Sequence, residues 1–296
     1  MPTRRLFASV VLALAGVVAT AQRATAQRTP ASPALPIIDA HVHARFTGSR
    51  ERTSGIPDTR AQLLAEWRRH GVVGAVVHEP RTDPANIPLD DPRAIHCAGI
   101  GMPVDTVALE RGLASGAFKC AKVYLGYVHA FAYDARYEPV YRLAERYDVP
   151  VVFHTGDTYS STAKLKFADP LTIDEVAVDH PKVRFVIAHC GNPWIESAAE
   201  VAYKNPNVYL ECSAFLIGDA RAFTPAKVQR VVVQPVRRVF NFVEDPRKMM
   251  FGTDWPLADV GASIAAFKLA IPRQHWRAVF HGNAARVFRM DSLGRR

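Results

Sequence analysis

Apolar runs of six to eight residues recur along the chain at 36–42, 72–78, 94–101, 119–124, 149–154, 184–189, 207–212 and 248–253. They are rich in β-branched residues and nearly continuous, the pattern of strands buried on both faces rather than one. Between them, apolar positions return at helical spacing over 60–69, 137–147, 173–178, 195–204, 225–242 and 260–269, with a closing helix over 274–288. Prolines such as Pro80, Pro84, Pro92, Pro181, Pro193 and Pro272 fall between the periodic stretches, where the chain must turn. Eight strands alternating with helices predict an α/β fold with a parallel sheet closed into a (β/α)8 TIM-like barrel. The longest polar connection after a chemically interesting strand, 155–171, is the candidate substrate loop.

Four of these runs end on a side chain able to hold a metal: His41 and His43 after the first, His154 after the fifth, His189 after the sixth and Asp254 after the eighth. Residues i and i+2 of a strand share a face, so His41 and His43 can reach inward together at one mouth of the barrel. An isolated His-x-His is weak, but four such endings in barrel order point to a single centre. Three imidazoles and a carboxylate, His41, His43, His154 and Asp254, suit one divalent cation such as Zn2+, with Mn2+ as an alternative, and leave an open coordination position. His189 is then placed as the catalytic imidazole, with Asp254 sharing the proton chemistry.

Composition narrows the setting. Arg4 and Arg5 precede an apolar stretch over 6–19, and Ala24-Thr25-Ala26 offers a cleavage site, so 1–26 reads as a signal peptide and 27–35 as a short linker before a barrel domain over 36–296. The expectation is export to the periplasm or beyond, by the general secretory or the twin-arginine route, with no stable membrane insertion after cleavage. Removal of 1–26 leaves 270 residues, one barrel's worth, and lowers the net charge from +9 to +6. The remaining basic residues form no stripe, which argues against nucleic acid as a partner and for a small-molecule substrate; a homodimer stays open. Cys97, Cys120, Cys190 and Cys212 lie in or beside strands, where small buried thiols are common. Free thiols are expected, with pairing between neighbouring strands as the alternative.

The chain resembles the metal-dependent amidohydrolase superfamily, specifically the amidohydrolase-2 branch that includes aminocarboxymuconate-semialdehyde decarboxylase-like proteins. The resemblance rests on Ile38-Asp39-Ala40-His41-Val42-His43, His154-Thr155-Gly156, His180-Pro181, Ala188-His189-Cys190-Gly191, Asn207 to Glu211, Phe251-Gly252-Thr253-Asp254-Trp255-Pro256 and Gly282-Asn283-Ala284-Ala285, in family order over nearly the whole chain. It implies a distorted barrel, His41, His43, His154 and Asp254 around one ion, and His189 in catalysis. In the wider superfamily a carbamylated lysine bridges two metals, and Lys122 occupies the fourth strand; a two-metal site is therefore the alternative, and a Lys122 contact to an acidic substrate a third option. Asp157, Tyr124 and Trp255 are possible substrate contacts, with Thr158, Tyr127 and Trp194 nearby. Glu211 is placed behind a ligand, orienting it. His78 and Glu79 read as structural, and His70, His96, His129, His275 and His281 have no motif support.

Three functions are compatible with this pattern. The first is hydrolysis of a small amide, lactone or ester by water activated at the metal. The second is decarboxylation or hydration of an aromatic or unsaturated acid, which arginines or aromatics in the pocket would favour. The third is a barrel that binds a ligand without catalysis. The complete His/Asp set and the expected export make the hydrolase the first reading.

Overall fold

The computed structural model describes residues 35–290. The signal segment 1–26, and all of the linker 27–35 except Leu35, lie outside the described residues. Eight strands, β1 (Ile37–Val42), β2 (Val72–His78), β3 (Ala94–Ile100), β4 (Cys120–Val123), β5 (Val151–Phe153), β6 (Phe185–Ile187), β7 (Val208–Glu211) and β8 (Met249–Met250), pair in sequence order, every pair parallel. Ten α-helices run between and after them: α1 (Arg60–His70), α2 (Thr106–Ser115), α3 (Leu125–Val128), α4 (Glu138–Tyr147), α5 (Thr172–Asp179), α6 (Ile195–Lys204), α7 (Pro225–Val228), α8 (Gln234–Val243), α9 (Val260–Ala270) and α10 (Asn283–Val287). The architecture is a TIM barrel.

Alternation sorts the strand side chains into two cores. Val77, Ala98, Val123, Phe153, Ile187 and Leu210 face outward and pack with Leu63, Trp67, Leu109, Tyr141 and Ile173 of the helical shell. Ile38, Val76, Cys120, Val152, Val186 and Met250 fill the inside, and Ala284, Val287 and Phe288 from the α10 segment join them. Both faces are buried, and this explains why the strands read as unbroken apolar runs.

The seam between β8 and β1 is where the barrel closes and where its chemistry collects. After two residues of β8 the chain leaves the regular ladder yet stays bonded to β1: Ala40 N–H donates to Phe251 O at 3.0 Å, Asp254 N–H to His41 O at 2.9 Å and His43 N–H to Trp255 O at 2.8 Å. In β1 itself three residue steps from Asp39 to Val42 match two steps in β2, from Ala75 to Val77. That bulge re-aims the strand end. Ile38 packs inside, and the shift lets His41 face the interior as well.

Two disulfides correct the expectation of free thiols. Cys97 joins Cys120, and Cys190 joins Cys212. The first pair sits in direct register between β3 and β4, and the second follows the ends of β6 and β7. Each cysteine's partner is therefore on the adjacent strand or just past its end, at Cα separations of 4.3 and 4.7 Å, within bonding reach.

Candidate metal centre and its cavity

His41 and Glu211 face each other across the inside of the barrel, both fully buried. His41 Nδ1–H donates to Glu211 Oε2 at 2.7 Å, which fixes the ring and leaves Nε2 bare. His43 makes its 3.2 Å contact through Nδ1 to the His78 carbonyl; a carbonyl only accepts, so Nδ1 carries a hydrogen here too. The two Nε2 atoms lie 3.6 and 3.2 Å from the same oxygen, Asp254 Oδ1. Neither His41 Nε2 nor Asp254 Oδ1 has a hydrogen-bond partner. Two lone pairs and a carboxylate oxygen converging in a buried place require a cation or a proton between them.

These residues fit a divalent ion. The ligating atoms of His41, His43 and Asp254 all lie within 4.8 Å of one another, and the carboxylate behind His41 is the arrangement that orients metal-bound imidazoles. Burial, reinforced by the Lys122 charge, lowers His41 well below the ordinary imidazole range and keeps it neutral, as a ligand must be. Burial alone would raise the Asp254 carboxyl, but the His43 contact, with the nearby Lys122 charge, holds it well below the carboxylate range.

His154 stands apart from this triangle. Its Nε2–H donates to Asp157 O at 2.9 Å, and its Nδ1 faces His189 Nε2 at 3.1 Å. His189 instead joins His41 and Glu211 in a second close group. Burial lowers His189 to about 3 and His154 well below its usual range, so both rings are neutral. The His189 backbone is left-handed, φ 59°, as is Asp254, φ 67°. Non-glycine residues rarely adopt that conformation, and it tends to cluster where function demands it.

Above the triangle opens a cavity of about 740 Å3. Its floor carries His43, His154, His189 and Asp254; its wall carries Arg45, Tyr124, Tyr127 and Asp157, and its rim Arg50, Arg52 and Tyr159. Asp157 and Tyr124 thus reach the space expected of them. Trp255 does not: it is fully buried, packs against Phe46 with ring centroids 6.4 Å apart and lines no part of the cavity. Lys122 is also fully buried beneath the cavity, with Nζ unpartnered and 5.6 Å from the Tyr124 ring centroid. Burial pushes its ammonium down and the Glu211 carboxyl up, each restrained by the other's charge. Its position is that of a counter-charge to Glu211, away from the cavity wall.

Four contributors escaped the sequence reading. Arg45 follows His43 by two residues, in a polar segment without periodicity to place it. Arg50 and Tyr159 come from loops, whose paths no pattern fixes. Ser213 was readable, since it stands two residues beyond Glu211 and shares its inward face. His78, taken as structural, lies with its ring 4.1 Å from that of His41, its Nε2–H held by Ala40 O at 3.3 Å.

An amidohydrolase family model matches residues 21–290. The chain belongs to the amidohydrolase-2 family. That membership makes this amidohydrolase an enzyme of a metal-dependent family. No match is found among curated protein sequences. Similar solved structures include an amidohydrolase from Burkholderia multivorans with bound zinc, 15% identical with TM-score 0.63, covering 86% of this chain and 99% of that one. A probable 2-pyrone-4,6-dicarboxylic acid hydrolase from Acinetobacter baumannii is 18% identical, TM-score 0.61, with coverage of 85% and 98%. The 5-carboxyvanillate decarboxylase of Sphingomonas paucimobilis is 13% identical, TM-score 0.59, with coverage of 86% and 99%. At such identities the likeness shows the barrel fold alone.

Proposed function

We propose that this amidohydrolase is a hydrolase of a small, carboxylate-bearing lactone, ester or amide, working with one divalent ion, zinc or alternatively manganese. The observation that carries the reading is the triangle of His41 Nε2, His43 Nε2 and Asp254 Oδ1, with His41 Nε2 and Asp254 Oδ1 lacking any hydrogen-bond partner, at the floor of an arginine-rimmed cavity. His41, His43 and Asp254 would hold the ion, with His154 as a fourth ligand were its ring to leave Asp157 O. A bound divalent cation supplies Lewis acidity, bringing a water's pKa towards about 7 and polarising a carbonyl. Asp254, a strong acid here and so an ionised acceptor, would take the proton of the attacking water. His189, neutral, would relay that proton, taking it up on a bare ring nitrogen and passing it to the departing oxygen or nitrogen. Arg45 takes the substrate carboxylate at the wall, because a guanidinium presents two parallel donors to it. Both the pyrone hydrolase and the vanillate decarboxylase named above act on acids, in keeping with that choice.

Decarboxylation of an aromatic acid is the second reading, favoured by the tyrosine wall, where the Tyr124 and Tyr127 rings meet edge to face at 6.3 Å. Lys122 carbamylation with two ions remains the alternative to a single ion. Metal analysis with parallel assays separates these. One ion per chain with lactone, ester or amide cleavage is the expected result. Carbon dioxide release from hydroxybenzoates without hydrolysis would replace the first reading by the second, two ions would support the lysine bridge, and no ion with no turnover would leave a binding barrel. We also place the mature enzyme outside the cytoplasm, on the pattern of 1–26 alone; N-terminal sequencing that finds an intact Met1 in the expressing cell would refute it.

A further inference from the structure

Ser213 follows the end of β7, 1% exposed, between two groups of the proposed machinery. Its hydroxyl donates to Glu211 Oε2 at 3.0 Å, and its oxygen lies 2.8 Å from His189 Nδ1. A hydroxyl has a single hydrogen. With that hydrogen given to a carboxylate oxygen, the contact to His189 exists only if His189 Nδ1–H donates. The reverse arrangement, Ser213 donating to His189, would need a proton on Glu211 Oε2, the oxygen that already receives His41 Nδ1–H. Nδ1–H leaves His189 Nε2 bare, facing the equally bare His154 Nδ1 at 3.1 Å on the cavity floor, a pair of acceptors open to an incoming proton or cation.

Glu211 Oε2 also receives His41 Nδ1–H. One carboxylate oxygen therefore sets two imidazoles, His41 directly and His189 by way of a hydroxyl. We infer that Ser213 is a positioning residue that holds His189 as the Nδ1–H tautomer and couples it to the ligand His41. The inference rests on the reading of His189 as the proton-handling group, although the tautomer itself does not.

Removal of the hydroxyl has a definite consequence. His154 gives its own Nε2–H to Asp157 O, so its Nδ1 is an acceptor, 3.1 Å from His189 Nε2. Without Ser213 to receive Nδ1–H, His189 moves its hydrogen to Nε2 and donates it to His154. In the metal-free chain the nitrogen needed for proton transfer is then occupied; were an ion to draw His154 away, the His189 ring would still lack the acceptor that fixes it, while Glu211 holds His41 in both states.

Histidine labelled with nitrogen-15, read by long-range proton–nitrogen spectra on the metal-free chain, reports the tautomer without any turnover. The unsubstituted protein should show His189 protonated at Nδ1, Ser213→Ala should show Nε2, and Ser213→Thr should restore Nδ1. On the zinc-loaded enzyme, Ser213→Ala should lower kcat about 10–100-fold, the usual effect of losing such a partner, with KM and metal content unchanged and Ser213→Thr recovering most of the loss. An Nε2–H signal in the unsubstituted protein overturns the inference. So does Ser213→Ala with unaltered tautomer and kcat, or Ser213→Thr as impaired as Ser213→Ala, which would make the effect one of packing. Should His189→Asn keep full turnover, the catalytic reading fails, and the spectra still decide the role of Ser213.

Discussion

The Asp254 carboxylate and the His189 imidazole both border the cavity floor, yet their surroundings assign them different work. Asp254 Oδ1 is aimed at two imidazole nitrogens and has no hydrogen-bond partner, whereas both nitrogens of His189 have neighbours, Ser213 and His154. Substitution separates the two roles. His41→Ala and Asp254→Asn should each remove turnover and bound metal together, because each deletes a donor from a three-residue set. His189→Asn should lower kcat by about 10²–10⁴-fold, the range for a lost general acid or base, and keep the metal. Elemental analysis of the three variants checks this. Since His189 also lies within ligand distance of His41 and Glu211, equal metal loss in all three would move it into the coordination shell.

The loops after β5 and β6 hold the two histidines against each other, and Gly156 is the point where they touch. Its φ is +81°, and a Cβ there would lie 2.1 Å from Asn192 O. Only glycine fits both the left-handed backbone and the close approach. Gly156→Ala should destabilise the fold by about 1–3 kcal/mol and impair turnover by shifting His154 and Asp157; thermal unfolding and kcat measured on the same sample test it, and an unchanged melting temperature would refute the tight fit. The elements themselves were largely legible. The eight expected strands match the observed ones to within a few residues because burial on both faces leaves little but apolar side chains. The expected helix over 225–242 is helical throughout, from Pro225 to Val243, with a wider π-helical stretch over Gln229–Val233 joining α7 to α8. Helix α2 was not singled out, although Asp105 and Gly116 mark its two ends. Less legible was whatever depends on one-residue geometry: the β1 bulge that turns His41 inward, the His154 ring held by its own loop, and Arg45 brought to the wall. Trp255 was misplaced for the same reason, since sequence order puts it beside Asp254 while the left-handed turn at Asp254 sends it into the core.

At the scale of the whole barrel, four buried imidazoles, His41, His78, His154 and His189, make the metal-free enzyme acid-sensitive. Burial is the leading cause that lowers each of them, His189 to about 3. An unfolded histidine titrates near 6.5. Between 6.5 and the depressed folded value the unfolded chain binds more protons than the native one, so stability is intact above 6.5 and lost as pH falls. Each such histidine contributes a slope of up to about 1.4 kcal/mol per pH unit. Asp39 acts in the opposite sense: burial, outweighing its bonds from Thr253, raises it to about 7, so its contribution is full below 3.8 and lost as pH rises through about 7. Glu211, raised to about 8 by burial, acts in the same sense as Asp39, and two carboxyls against four imidazoles leave the acid limb dominant. Chelator-treated enzyme should therefore gain slightly in melting temperature from pH 8 to 7, as the two raised carboxyls protonate, and lose it steeply below 6.5. His78→Asn, which removes one imidazole outside the His41, His43 and Asp254 triangle, should flatten that loss by about one histidine's slope. Saturating zinc at about 100 times its dissociation constant should add about 2.7 kcal/mol near neutrality and lose that gain on acidification, because protons compete for the same nitrogens. A metal-free melting temperature that stays level from pH 8 to 5 would mean that these rings are solvated or already charged, and the buried neutral cluster would have to be abandoned.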